Sequence, residues 1–238
     1  MTAKRPTSPT DITPEAYVEH VRHALRPLAD PAAASQMRAY MRDQFPFLGI
    51  PTPARRRALR ALPTVGWCDR EWVAVAQLLW REPEREYRYA AADLLRKHAD
   101  RLDAARIAPI LALAQVEPWW DTVDSLAVTI GTVIARARKT DVNAQARADA
   151  WLGHDSPWVR RVAMLHQLGW RLETDEARLF RYARTLAPET DFFIRKSIGW
   201  ALRDYARWNP AAVSAFLAAH RDRLSALTVR EAEKHLQT

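Results

Sequence analysis

The sequence predicts an all-α protein built from repeated pairs of helices. Apolar residues recur at helical spacing almost without interruption after residue 13. Few stretches show the strict alternation that is typical of strands, and the joins between helical stretches are short and marked by Pro, Gly or Asp. With 48% hydrophobic and 27% charged residues over 238 positions, the composition excludes wholesale disorder. The length suits one domain or two tightly packed subdomains.

The predicted elements follow one another in a regular order. Residues 1–13 are polar and are expected to form a disordered tail, which leaves 14–238 as a single folded domain. A helix after Asp30 carries Met37, Tyr40 and Met41 at helical spacing, and the proline-rich segment 45–53 is the clearest break. Further helices are predicted near residues 54–62, 69–81, 84–98, 103–115, 119–137, 144–152, 157–169, 175–186, 190–206, 210–220 and 228–236.

A weak internal repeat underlies these helices. Arg88, Arg160 and Arg195 begin similar segments, and a unit placed midway between the first two falls on Asp124, at spacings of 36, 36 and 35 residues. Helix pairs with this period indicate an α-solenoid of the HEAT, armadillo or TPR kind. Such a solenoid offers a concave inner face to a long ligand. The acid at position 124 is the departure from the pattern.

The charge of the chain favours nucleic acid as the partner. The formal net charge is +8, and 31 of the 36 basic residues are Arg, which forms forked hydrogen bonds to phosphate. Genomic base composition could account for the ratio of Arg to Lys but not for the net charge. The lone Cys68 excludes an internal disulfide and a cysteine-rich zinc site. Without a signal peptide or a membrane-length apolar run, the expected location is the cytoplasm.

The segment from Glu117 to Asp124 is the first candidate for chemistry. Pro118 suits the first turn of a helix, and Trp119 begins its apolar stripe. Trp120 and Asp124 lie four residues apart, so a carboxylate is expected beside an indole at the edge of the core. Taken alone, Asp124 would more often be a surface acid, or an acid paired with an arginine, Arg160 or Arg161, of the next repeat.

Two later helices add matching parts. Arg160 and Arg161 point about 100° apart on a helix, so at most one of them can face the same ligand as Asp124. Trp200 lies off the apolar stripe of its own helix. Gly199 beside it is costly in a helix interior, which indicates a close approach at this position.

Four segments of the chain resemble the AlkD family of bacterial DNA alkylation-repair glycosylases. The resemblance covers roughly residues 32 to 236, and the tryptophan–acid motif together with the glycine–tryptophan motif is specific to that family. The four segments are Tyr40–Arg56, Trp119–Asp124, Trp158–Arg161 and Phe193–Trp200.

The resemblance implies a right-handed HEAT-like solenoid whose basic concave face holds duplex DNA. It implies hydrolysis of the N-glycosidic bond of N3- and N7-alkylated purines, such as 3-methyladenine and 7-methylguanine, without insertion of the damaged base into a deep pocket. Asp124, Trp120 and Trp200 match the family's cleft acid and tryptophans, which implies that they are catalytic. Arg161 and Tyr40 match its cleft arginine and tyrosine, which implies that they bind DNA, and Arg161 is expected to hold a backbone phosphate. The protein is expected to act as a monomer, without a metal or other cofactor and away from membranes.

The chemistry explains these residue types. An alkylpurine that already carries a positive charge leaves as a neutral base without a general acid, and the sugar develops oxocarbenium character. A carboxylate stabilises that charge, and indole faces attract the cationic nucleotide. A lyase reaction would need an amine, and Lys196 is the only lysine near these motifs. Two alternatives remain open: a non-catalytic scaffold that binds nucleic acid, and a helical adaptor that binds protein.

Overall fold

The computed structural model describes residues 12–236, and every regular element in that part of the chain is helical. Thirteen α-helices and five short 3-10 helices occur there without a strand, which confirms the predicted all-α class. Residues 1–11 of the predicted tail lie outside the described residues. Thr13 caps the first helix by accepting a hydrogen bond from the Ala16 amide. The chain divides into two compact units, Met1–Arg101 and Leu102–Thr238.

The first unit contains five α-helices. They are α1 (Pro14–Leu25), α2 (Pro31–Tyr40), α3 (Thr52–Arg60), α4 (Asp69–Trp80) and α5 (Arg85–Lys97). Helix α4 packs against α1 and α5, and α3 packs against α1 and α5. The prolines at the starts of α1 and α2 fit because the first helical residue needs no N–H partner.

The proline-rich break is tied to the start of α5. The buried carboxylate of Glu86 accepts hydrogen bonds from the amides of Leu48, Gly49 and Ile50, at 2.8 to 3.0 Å. Gly49 has a φ of +87°, and a Cβ there would lie 2.0 Å from the Asp30 carbonyl oxygen, so only glycine fits. The segment is therefore ordered by one buried acid, although it contains no regular element.

The second unit contains eight α-helices. They are α6 (Ile107–Leu113), α7 (Trp120–Ala137), α8 (Ala146–Ala150), α9 (Pro157–Leu165), α10 (Glu176–Leu186), α11 (Phe192–Ala206), α12 (Pro210–His220) and α13 (Ala226–Ala232). Four of them pack in sequence order, α7 against α9, α9 against α11 and α11 against α13. Helix α6 packs on α7, and α10 and α12 pack on α11.

Two glycines allow this close packing. A Cβ on Gly131 of α7 would lie 1.8 Å from the His166 carbonyl oxygen, directly after α9. A Cβ on Gly199 of α11 would lie 2.7 Å from the Thr228 carbonyl oxygen of α13. The close approach predicted at Gly199 is therefore confirmed, and α13 is the element that approaches.

The repeat positions fall at matching places in the helices. Arg88, Asp124, Arg160 and Arg195 each occupy the fourth or fifth residue of α5, α7, α9 or α11. The apolar stripe predicted for α11 is buried, and so is that of α7 except for Trp119, which is half-buried. This common register agrees with a chain of helical repeats.

Some predicted boundaries are wrong. The helix predicted over 157–169 ends at Leu165, and Gly169 beyond it has a φ of +78°. Trp119 has an extended backbone and is the N-cap of α7, so neither it nor Pro118 lies inside that helix. The predicted segments 103–115 and 144–152 contain α6 and α8, each next to a short 3-10 helix. Among residues 12–236, no helix is both long enough and apolar enough to cross a membrane.

Candidate active site

The candidate site lies in the second unit, on the three successive helices α7, α9 and α11. Helix α7 supplies Trp120 and Asp124, α9 supplies Arg161, and α11 supplies Trp200. Helix α9 packs against both α7 and α11. It therefore lies between the helix that carries Asp124 and the helix that carries Trp200. Four of the five site residues predicted from the sequence thus belong to one layer of helices.

Asp124 and Arg161 form a two-point ion pair. The Nε and Nη2 atoms of Arg161 donate hydrogen bonds to Oδ1 and Oδ2 of Asp124, at 2.7 and 2.8 Å. The side chains are 13% and 3% exposed, respectively. Of the alternatives that the sequence left open for Asp124, the structure shows the pair with Arg161.

This pairing fixes the electrostatics of the carboxyl group. The pKa of Asp124 is raised above its usual value because the group is buried, and the hydrogen bonds and charge of Arg161 oppose that rise. Two-point bonding from a guanidinium requires an ionised carboxylate as the acceptor. Asp124 is therefore held as an anion in fixed orientation, in surroundings that strengthen its electric field.

Arg161 also connects α9 with α11. Its Nη1 atom donates a hydrogen bond to the main-chain carbonyl of Phe193. Three of its five N–H groups are thus used within the protein, and two remain. The contact with a DNA phosphate predicted for Arg161 stays a prediction, whereas its hold on Asp124 is visible.

Arg160 is directed elsewhere, as the 100° separation requires. Its Nε and Nη2 atoms bind the two carboxylate oxygens of Glu189 at 2.7 and 2.9 Å. Its Nη1 atom donates to the carbonyls of His154 and Asp155. Of the two adjacent arginines, only Arg161 pairs with Asp124; that at most one of them can face the same ligand as Asp124 stays a prediction.

The two predicted tryptophans are partly exposed. Trp120 is the first residue of α7, and Asp124 follows one turn later on the same side. Trp200 is half-buried in the middle of α11, next to Gly199. Both indoles can therefore present part of a ring to a bound molecule.

The starts of the three helices meet in an aromatic cluster formed by Trp119, Trp158 and Phe193. Their ring centroids are 4.9 to 5.8 Å apart, and none of the three side chains is fully exposed. Sequence reasoning did not predict this cluster. The available sign was that an aromatic residue begins each of the three resembling segments on these helices, Trp119–Asp124, Trp158–Arg161 and Phe193–Trp200.

Tyr40, the fifth predicted site residue, lies in the first unit. It ends α2, and 73% of the residue is exposed, whereas the adjacent Met41 is buried. Arg42 and Asp43 then adopt left-handed φ angles of 56° and 55°, which end the helix sharply. The exposed ring is suited to contact a ligand, and its predicted role in DNA binding stays a prediction.

No group of three or more His, Cys, Asp or Glu side chains within residues 12–236 is arranged to hold a metal ion.

Comparison with known proteins gives a consistent result. The sequence model of a family described as DNA alkylation repair enzyme matches residues 21–236. A solved structure described as a predicted DNA alkylation repair enzyme from Enterococcus faecalis is similar to this chain, with a TM-score of 0.78 and 29% sequence identity. The similarity covers 87% of this chain and 96% of the other. No curated protein sequence matches.

Proposed function

This chain belongs to the family of DNA alkylation repair enzymes, and we propose that it is a monofunctional DNA glycosylase that releases cationic N3- and N7-alkylpurines, such as 3-methyladenine and 7-methylguanine. The observation that carries the proposal is the ionised carboxylate of Asp124, which is fixed by Arg161 and lies one helical turn from the partly exposed indole of Trp120. Duplex DNA is the proposed substrate, in keeping with the net charge of +8.

The reaction needs a negative charge near the sugar more than it needs a proton donor. The bond between C1′ and the purine nitrogen breaks with its electron pair moving to the base, which leaves neutral. The sugar then carries positive charge, and a fixed carboxylate stabilises it. Arg161 occupies two of the roughly four acceptor positions of Asp124, so the others remain for the sugar or for a water molecule.

A water molecule completes the reaction. Asp124 orients the water, whose oxygen bonds to C1′ while its proton passes to solvent. Trp120 and Trp200 supply aromatic faces for the cationic nucleotide. As the resemblance to the glycosylase family implies, the damaged base does not enter a deep pocket in the proposed reaction.

Arg161 and Tyr40 are the residues proposed to contact DNA without taking part in the reaction itself. Arg161 keeps two N–H groups that the protein does not use, so a phosphate oxygen would have to reach them through the 3% of its side chain that is exposed, and Tyr40 has an exposed ring. Phosphate contacts of this kind position the duplex and are insensitive to base sequence. We propose that the protein acts as a monomer.

The deciding experiment incubates the protein with methylated duplex DNA and measures the free 7-methylguanine and 3-methyladenine released. We expect both free bases to appear, and the abasic strand to stay intact until alkali is added. Duplex binding without release of either base would instead indicate a non-catalytic scaffold. Immediate strand cleavage would contradict a monofunctional enzyme.

A further inference from the structure

Helix α11 carries two cations on the same face as Trp200. Lys196 lies four residues before Trp200 and Arg203 lies three residues after it, so all three side chains share one side of the helix. That side is turned away from the buried stripe of α11, which includes Ile194 and Ile198. Positive charge therefore flanks the indole in both directions along the helix.

These cations converge on one acid of the neighbouring helix. Glu231 of α13 accepts hydrogen bonds from the Nζ atoms of Lys196 and Lys234, at 2.6 and 2.7 Å, and from Nη1 of Arg203 at 2.6 Å. The Glu231 side chain is only 7% exposed, whereas those of Lys196, Arg203 and Lys234 are 38%, 21% and 51% exposed. Glu231 is therefore buried, and the three cations around it are partly exposed at the surface.

Gly199 makes this arrangement possible. A Cβ at position 199 would lie 2.5 Å from the Cβ of Glu231, so any larger residue would push α13 away. The glycine beside Trp200 therefore brings Glu231 within reach of the cations on α11.

The cluster carries a surplus of charge. Burial opposes ionisation of Glu231, but the hydrogen bonds from Lys196 and Lys234 outweigh it and lower the pKa of Glu231 to about 2. Three cations and one anion leave a net charge of +2. The cluster around Asp149 is neutral by contrast, because Arg178 and Arg181 are balanced by Asp149 and Asp175.

Donors also remain for a further anion. Each lysine uses one of its three N–H groups on Glu231, and Arg203 uses one of its five. The unused donors are on partly exposed side chains, which one buried carboxylate already holds together. Because less side-chain motion has to be lost on binding, an arriving anion is bound more tightly.

We propose that Lys196, Arg203 and Lys234 form a binding site for the phosphate backbone of DNA next to Trp200. This inference rests on the proposed function, which supplies duplex DNA as the ligand. The site would fix the strand against α11 and so place a nucleotide at the indole.

The test measures binding of undamaged duplex DNA at several salt concentrations. The site variant is Lys196→Gln/Lys234→Gln, and the control is Arg181→Gln/Arg184→Gln, which removes the same charge from exposed positions of α10. Each lost phosphate contact reduces the log–log slope by about 0.9. We expect the slope of the site variant to fall by about one to two units and that of the control to stay as in the wild type.

Equal slopes for the site variant and the wild type would overturn the proposal. Equal decreases in slope for the site variant and the control would also overturn it, because they would reflect net charge alone. Thermal unfolding checks that both variants are folded. Because undamaged DNA is used, the test does not depend on excision. A wild-type protein that binds duplex but releases no alkylated base would contradict the proposed function and leave this site in place.

Discussion

The guanidinium of Arg161 bonds both carboxylate oxygens of Asp124, and it also bonds the main-chain carbonyl of Phe193. One side chain of α9 thereby fixes an acid of α7 and the first turn of α11. A carboxylate that serves as an electrostatic catalyst must be oriented before the substrate arrives, because reorientation during the reaction costs free energy. Arg161 therefore acts on the chemistry through Asp124.

Arg161→Lys keeps the positive charge and removes the two-point geometry. A single ammonium cannot hold both oxygens of Asp124, so the acid loses its fixed orientation. We expect the single-turnover rate of 7-methylguanine release to fall by up to about 10²-fold. Arg160→Lys, one position earlier on α9, is the matched control and should excise at the wild-type rate. Equal rates for Arg161→Lys and the wild type would show that orientation by Arg161 is dispensable.

The two site tryptophans should contribute less than the acid. A cation held over an aromatic face gains up to about 2 kcal/mol, which corresponds to about 30-fold in rate. Trp120→Ala and Trp200→Ala should each slow excision by no more than about this factor. Trp208→Ala is the control, because Trp208 is also partly exposed and packs against Arg171 instead. The idea of an aromatic cradle fails if all three variants behave alike.

Gly199→Ala should destabilise the second unit. The added Cβ would lie within 2.7 Å of atoms of both Glu231 and Thr228 on α13, and overpacking of this kind costs about 1–3 kcal/mol. Gly153→Ala is the control, since a Cβ there meets nothing within 4 Å. Urea unfolding of the two variants gives the comparison. A Gly199→Ala protein as stable as the control would mean that α11 and α13 can separate without cost.

Stability should fall in mild acid because of His166. This imidazole is fully buried, and burial lowers its pKa to about 4. The unfolded chain takes up the proton near pH 6.5 while the native state does not. The free energy of unfolding should then decrease by up to about 1.4 kcal/mol per pH unit between about pH 6.5 and pH 4. Urea titrations at pH 7 and pH 5 measure the loss, which His166→Gln should lack.

Much of the helical layer was predictable because its determinants are local. Apolar spacing and the repeat of about 36 residues predicted α7, α9 and α11, and the cost of a mid-helix glycine predicted the close approach at Gly199. Boundaries were missed where a single residue leaves helical geometry, as Trp119 does with its extended backbone. Such departures depend on neighbouring helices and not on the local pattern.

The candidate site was predictable in its residues but only partly in its contacts. Two adjacent arginines could each have reached Asp124, and the 100° rule could not decide between them. The choice depends on how α9 is rotated against α7, which long-range packing determines. The convergence of three cations on Glu231 was missed for the same reason. Lys196 and Arg203 lie 35 and 28 positions from Glu231 in the sequence, whereas Lys234 lies three positions away.

The substitution Asp124→Asn tests the central claim, and it has to be compared with a second variant that controls for its effect on stability. The substitution leaves the buried guanidinium of Arg161 without an anion, which costs about 3–5 kcal/mol, so a lower melting temperature is expected. Asp124→Asn/Arg161→Gln removes both charges and should recover part of that loss. Binding of undamaged duplex should not weaken in Asp124→Asn, because a negative charge near the phosphates has gone.

The most direct measurement is the single-turnover release of 7-methylguanine from duplex DNA by the wild type, Asp124→Asn and the double variant. Melting temperature and duplex binding are checked on the same preparations. We predict that both variants, folded and bound to DNA, excise at least about 10²-fold more slowly than the wild type. Excision at the wild-type rate by a folded, DNA-bound Asp124→Asn protein would contradict the role of Asp124 and the mechanism built on it.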